Sequence, residues 1–412
     1  MREMKDSGIE WIGKIPKDWS YSKVKYHCSM KSGDNITSLN IEETSHYPVY
    51  GGNGQRGYFS QYNVDGDKIL IGRQGALAGN MHYVSGKFWA TDHAIVTTPF
   101  KDINILYFFY LLKGYELNRY AQDTAAQPGL AVSKIMNLAI YLPSVCEQQQ
   151  IADYLDTKCS EIDATAEDIQ KEISLLEDYK KSVITEAVTK GLNPDAEMKD
   201  SGIEWIGEIP KDWVTIRIGN VFSLRNERNY LPMEQVQLLS LYSGKGVFPT
   251  GEEGTTNSGN HAQTVADYKI VKRNDIVINI ILAWMGSLGI SNYDGVVSPA
   301  YDVYIPDEEK VVPHYYHYVF RTSGIANECY RYGRGIMMMR WRTYSSEFKR
   351  IHVPFPSFDE QQQIADYLDT KCSEIDTLIA DKKRQLDILA DYKKSIIYEY
   401  VTGKKEVLVK DF

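Results

Sequence analysis

Two segments of this 412-residue chain recur almost letter for letter, and the duplication constrains the fold more than any other feature. Residues 4–19, MKDSGIEWIGKIPKDW, return at 198–213 with only Lys14 replaced, by Glu208. Residues 147–163, EQQQIADYLDTKCSEID, return unchanged at 360–376, and DYKKS at 178–182 returns at 391–395. The offset between copies grows from 194 to 213, so the second copy has gained 19 residues between its repeated segments. Each half reads as a short arm, a variable core and a long arm.

Both long arms carry helix signals. Ser144-Val145-Cys146-Glu147 and Ser357-Phe358-Asp359-Glu360 each have the Ser-x-x-Glu spacing of a capping box, in which the serine accepts from a backbone N–H and the glutamate reaches back. Gly191 and Gly403 supply stop signals. Between them Leu155, Cys159, Ile162, Ala166, Ile169, Ile173, Leu176, Lys180, Val183 and Ala187 step alternately by four and three. Leu368, Cys372, Ile375, Ile379, Lys382, Leu386, Leu389, Lys393, Ile396 and Tyr400 do the same in the second arm. So narrow a seam, held for about five heptads, belongs to a helix paired with another helix. The natural partner is the other copy. A helix from Ser144 to Lys190 would run about 70 Å at ~1.5 Å per residue, which suits a spacer. An antiparallel pair would place the cores at opposite ends, and the duplication would give an approximate two-fold axis.

The cores read differently from the arms. In the first, Tyr47–Tyr50, Lys68–Ile71 and Ala94–Thr97 look like strands and Ile103–Leu112 looks helical; in the second, Val236–Leu241, Asp275–Ile281 and Asp302–Ile305 look like strands and His314–Thr322 helical. A loose skeleton is shared, with Asp67 matching Asp275, Gly75–Gly79 matching Gly286–Gly289, and Pro143 matching Pro356. The expected fold class is α/β: two mixed α/β domains separated by two long antiparallel helices forming a coiled coil, pseudo-two-fold through the internal duplication. The expected boundaries are 1–143 for the first arm and core, 144–191 for the first spacer helix, 192–356 for the repeated arm and second core, 357–403 for the second spacer helix, and 404–412 for a tail. Surfaces kept identical within one molecule most simply bind two copies of one partner. Divergent cores at equivalent positions most simply bind two different things.

A net charge of −9 argues against nucleic acid until it is divided by region. Residues 20–143 carry 11 Lys+Arg against 9 Asp+Glu, and residues 214–356 carry 15 against 13, so the acidity lies outside the cores. Residues 321–350 hold seven basic and two acidic side chains interleaved with Tyr330, Tyr332, Trp341 and Tyr344, a stretch that could face phosphates or be an ordinary solvated surface. Five cysteines without a CxxC pair suit reduced thiols. The absence of a long apolar run or leader points to a cytoplasmic protein with no membrane partner.

Several enzyme signatures fail. Gly52-Asn53-Gly54-Gln55-Arg56-Gly57 matches GxGxxG, but no helix follows to face a phosphate, so a tight turn is expected. Ser298-Pro299-Ala300-Tyr301 lacks the second proline of an amine-methylating segment, and no Walker A sequence is present. His314 and His317 could share a helix face, yet neither cysteine nor carboxylate completes a metal set in the sequence. No catalytic, metal or cofactor residue is therefore expected.

The arms carry a resemblance. Glu-Gln-Gln-Gln-Ile-Ala-Asp-Tyr-Leu-Asp followed by Glu-Ile-Asp, the Ser-Gly-Ile-Glu-Trp-Ile-Gly-x-Ile-Pro-x-Asp-Trp before each core, and Val-Thr-Gly-Lys at 401–404 resemble the specificity subunits of Type I restriction–modification systems. The resemblance implies that each core is a target recognition domain reading one half of a split double-stranded DNA site. It also implies that the helices set the spacing and dock two modification (methyltransferase) subunits, which bind S-adenosylmethionine and methylate adenine. Separate restriction subunits would supply motor and nuclease. The candidate DNA-binding residues are Arg73, Gln74 and Lys134 in the first core, and Arg331, Arg334, Arg340, Arg342 and Lys349 in the second, because arginine can hold phosphate or pair with guanine. A coiled-coil scaffold whose cores bind proteins or glycans is the alternative, separated by salt-dependent binding to duplex DNA.

Overall fold

A computed structural model of the chain describes residues 2–75, 78–121, 129–242, 246–251, 264–336 and 341–407. The chain forms two compact units, one of Met1–Gln170 with Lys383–Phe412 and one of Lys171–Lys382. Each holds one core and a stretch of both long helices.

In the first unit an antiparallel sheet runs in the order Cys28–Ser32, Ala94–Pro99, Lys68–Gly72, Met81–Val84. Ile69, Ile71 and Ile95 point to one face, where the helix Ile105–Gly114 buries Tyr107, Phe108, Leu111 and Leu112 against them. Leu70 and Val96 point to the other face and pack with Val64, Val84 and Phe88. This alternation is the period of two expected of a sheet covered on both sides. A hairpin of Tyr47–Gly51 and Gly54–Phe59 confirms the tight turn at Gly52-Asn53. Ser20–Lys23 pairs with Ala139–Leu142, so the chain enters and leaves the core side by side.

The second unit repeats that strand order with Phe222–Leu224, Tyr301–Pro306, Ile276–Asn279 and Leu288–Ile290, and its entry and exit strands are Val214–Arg217 and His352–Phe355. The helix Pro313–Phe320 covers the sheet as its counterpart does. A further helix, Ser323–Tyr332, was not foreseen from the sequence. Its Thr322 side chain caps the first turn by accepting from the Ile325 amide at 3.5 Å, while Gly324 within that turn weakens the local helix signal.

The long helices span Val145–Lys190 and Phe358–Val401, and all the seam residues are buried or half-buried. Within the first unit Tyr154 meets Tyr400 at 4.5 Å between ring centroids and Lys393 pairs with Asp163. Within the second, Lys180 pairs with Asp376 at 2.6 Å and Lys382 with Glu172. Residue numbers rise on one helix as they fall on the other, so each pairing is antiparallel. The seam lysines explain themselves: Lys180–Asp376 and Lys393–Asp163 are the same pair in the two repeats.

Only half of each expected capping box forms. Ser144 and Ser357 accept from the amides of Glu147 and Glu360 at 3.3 and 3.4 Å, but neither glutamate turns back to its serine. Glu147 instead accepts from the indole N–H of Trp19 at 3.3 Å, and Glu360 from that of Trp213 at 2.9 Å. A buried indole donor needs an acceptor, and the repeated arm supplies it in both places. Gly403, at φ +68°, and Gly191, at φ +74°, lie over the same two rings, so close that a Cβ would stand 3.1 Å from each. Gln148 and Gln361 donate to the carbonyls of Pro143 and Pro356, both at 3.1 Å, and accept from the amides of Asn104 and Val312. The repeated arm sequences thus tie each core to its helices through identical bonds.

Candidate nucleic-acid interface

The strands of the first sheet bring Ser32, Gly72, Met81 and Ala94 to one end. There the Arg73 amide donates to the His93 carbonyl at 3.0 Å, and the Arg73 carbonyl accepts from Leu130 at 2.9 Å. Gln74 forms a bridge with Gly129, and the short helix Val132–Met136 follows with Lys134 exposed on it. Backbone pairing therefore gathers Arg73, Gln74 and the Lys134 segment at one corner. The Arg73 guanidinium donates to Ser32 Oγ at 3.2 Å, and Lys134 Nζ stands 3.5 Å from the Tyr120 carbonyl.

The second sheet builds the same corner from different residues. Ile280 takes the place of Arg73, its amide donating to Ala300 at 3.2 Å and its carbonyl accepting from Thr343 at 2.9 Å. Arg342 precedes Thr343 and pairs with Arg334 through reciprocal backbone bonds of 3.0 and 3.1 Å. The helix Ser345–Phe348 stands where Val132–Met136 stands in the first unit. Arg334, Arg342, Tyr344, Gly335 and Ile336 line an open cleft of about 680 Å³.

The two acidic side chains of this stretch are both engaged. Arg331 pairs with Glu328 at 3.2 Å and Arg334 with Glu347 at 2.8 Å. Arg334 also lies 5.5 Å over the Tyr344 ring, and Trp341 stacks on Tyr330 at 5.2 Å. The exposed Arg342 side chain makes no hydrogen bond or ion pair with the described residues. Lys349 is only half exposed, and its carbonyl accepts from Gly219 at 3.0 Å, which ties it to the entry strand's side of the core. Arg340 lies outside the described residues.

At the first corner the Gly52-Asn53 turn presses against the strand ends: a Cβ on Gly52 would stand 2.9 Å from the His93 carbonyl oxygen. Asn80 donates through Nδ2 to Asn53 Oδ1 at 2.9 Å, and both side chains are exposed. Sequence reading passed over these two amides, since they are 27 residues apart and neither sits in a charged run.

No group of three or more His, Cys, Asp or Glu side chains that could hold a metal occurs among the described residues. The fold brings one carboxylate to the histidine pair: Asp369 from the second long helix meets His314 Nε2 at 2.7 Å. His317, stacked on His314, accepts through Nε2 from the Arg321 guanidinium at 3.1 Å instead, so no ligand set is completed. All five cysteines are free thiols. No helix among the described residues is long and apolar enough to cross a membrane.

The family described as the Type I restriction modification DNA specificity domain matches residues 16–175 and 210–387, one match for each repeat. The Type I restriction enzyme EcoprrI specificity subunit of Escherichia coli is 46% identical over 131 residues, which is 31% of this chain and 32% of that protein. The putative type I restriction enzyme MjaX specificity subunit of Methanocaldococcus jannaschii is 27% identical over 73% of this chain and 68% of its own length. Among solved structures, one described as the structural basis of complex assembly and conformational transition of the type I R-M system contains a chain of the same fold. It aligns with a TM-score of 0.65 and 13% identity, covering 95% of this chain and 100% of that one. With both repeats matched by the same family and the sheet, arm and helix pattern occurring twice, the chain belongs to the specificity (S) subunits of Type I restriction–modification systems.

Proposed function

We propose that the chain reads a two-part double-stranded DNA target, one half with each core, and holds two modification subunits that carry S-adenosylmethionine and methylate adenine. Restriction subunits join the same complex, in the cytoplasm, and the chain itself performs no chemistry. The observation that carries this reading is the pair of equivalent corners: one backbone scaffold presents Arg73, Gln74 and Lys134 in the first core and Arg334 and Arg342 in the second. Arg331 and Arg340 extend the second set along its stretch, and Lys349 flanks it. Same scaffold with different side chains is what reading two different half-sites requires.

Docking falls to the repeated parts. Leu175 and Tyr179 in the second unit, and their repeat mates Ile388 and Tyr392 in the first, are all exposed by more than half. Exposed apolar side chains duplicated by the repeat suit two copies of one partner. Mapping methylated adenines in host DNA with the gene present and deleted tests the reading: a two-part motif should vanish with the gene. Changing Leu175, Tyr179, Ile388 and Tyr392 to serine should prevent co-purification of modification subunits while leaving each unit folded. Loss of DNA affinity with subunit capture intact would reverse the assignment of the two surfaces.

A further inference from the structure

Each amide in the Asn53–Asn80 pair spends one group on the other. Asn53 Oδ1 accepts and Asn80 Nδ2 donates, which leaves Asn53 Nδ2 as a donor and Asn80 Oδ1 as an acceptor, neither bonded to a described side chain. Exchanging oxygen and nitrogen on both residues gives the same remainder, one donor beside one acceptor. The major-groove edge of adenine offers the complement, an N6–H donor beside the N7 acceptor, whereas guanine offers two acceptors there.

The pair is also held in place. Gly52 is pressed on the His93 carbonyl, and Gly54, at φ +99°, sits so close to the His82 ring that a Cβ would stand 3.3 Å from it. Asn80 is fixed from its own side, its carbonyl accepting from Gly72 at 2.8 Å. Both amides therefore project from the strand-end corner that carries Arg73 and Gln74. The second core lacks this device: Ser287 occupies the position of Asn80, its carbonyl accepting from Asn279 at 3.0 Å, and it is buried.

We propose that Asn53 and Asn80 together form an adenine-reading element of the first core, joined by the hydrogen bond between their amides and specific to one position of one half-site. This rests on the cores being the half-site readers, and the experiment separates the two ideas. The full chain would be expressed with its modification and restriction subunits, and methylated motifs mapped for the wild type, N53A/N80A, N53D and N80D. The wild type should give a two-part motif. In N53A/N80A one adenine of a single half-site should lose its discrimination by about tenfold or more, as for loss of a bidentate base contact. The aspartate variants turn a mixed edge into acceptors and should shift that position toward cytosine. The other half-site serves as the internal control for folding and assembly, and its motif should stay unchanged in every variant. An unaltered motif in N53A/N80A, or a relaxed position that is not adenine, overturns the proposal and leaves the general reading standing. A wild-type complex that marks no two-part site overturns both.

Discussion

The first and second cores share a strand order and a covering helix, yet matched positions lead different chemical lives. Asp67 is exposed and accepts from Ser85 Oγ at 2.6 Å. Asp275, set against Asp67 by the sequence skeleton, falls one place further along by the ladder register, at the position of Lys68. It is buried, pairs through both oxygens with Arg225 at 2.7 and 2.9 Å, and accepts from the Lys272 amide at 2.7 Å. Phe109 of the first core is replaced by His317 in the second, and Arg73 by Ile280. A scaffold can therefore be retained while its interior is rebuilt. Backbone pairing is indifferent to side chains, provided that the faces of the sheet stay apolar.

The largest expected contrast is between these two aspartates. Asp275→Ala leaves the buried Arg225 with only the exposed Glu227, 3.0 Å away, as a partner and should cost the second unit about 3–5 kcal/mol, whereas Asp67→Ala should cost about 0.5 kcal/mol or less. Denaturant unfolding of the two variants measures this directly, and equal losses would refute the difference in burial. Next comes the histidine. Burial, with Arg321 and His314 nearby, lowers the His317 pKa to about 3, while Asp369 opposes the shift. The unfolded chain then binds more protons than the folded chain between pH ~3 and ~6.5, so stability falls as pH falls through that window. This group alone should make the second unit about 2 kcal/mol less stable at pH 5 than at pH 7. His317→Phe, which copies the first core, should flatten that dependence; an unchanged acid limb in thermal unfolding would exclude His317 as its source.

A smaller effect is expected at the corners. Arg342→Ala should weaken specific DNA binding by about 1–3 kcal/mol if the side chain reaches a base. Arg331→Ala should weaken it less, because Arg331 already faces Glu328. Affinity titrations over a salt series separate the two, and a greater loss for Arg331 would invert the ranking. The smallest expected difference is in the seam. Lys180→Ala and Lys393→Ala each remove one repeat's copy of the same ion pair and should each cost about 0.2–1 kcal/mol, equally within error. Unequal costs would mean that the two helix pairings are not energetic copies.

Much of this architecture was readable in the chain. The long helices announced themselves because a seam of one residue every three or four positions survives only where two helices face each other. The glycine stops and serine caps then set their ends. Strands such as Lys68–Gly72 and Ala94–Pro99 showed as β-branched runs. The agreement in strand order did not show, since Val-Ile-Asn and Leu-Ile-Gly make the same ladder bonds with only the isoleucine in common. The candidate site was half legible. Clustered arginines are visible in a sequence, but an amide pair built across a hairpin turn and a strand end is not. Likewise the destination of Glu147 and Glu360 depended on a tryptophan 128 and 147 residues earlier in the chain, which the paired entry and exit strands bring alongside.

The composition of the two units bears on how the chain folds as it leaves the ribosome. The second unit, Lys171–Lys382, is one uninterrupted stretch. The first needs Lys383–Phe412 as well, and that piece contributes Ile396, Ile397, Tyr400 and Val401 to its core and lays Gly403 over Trp19. At ~5–20 residues per second, the earliest-made core waits on the order of tens of seconds for its last-made wall. Synthesis order and completion order are thus inverted. A product truncated after Lys382 would keep the second unit whole and open the first, exposing the earlier-made of the two cores.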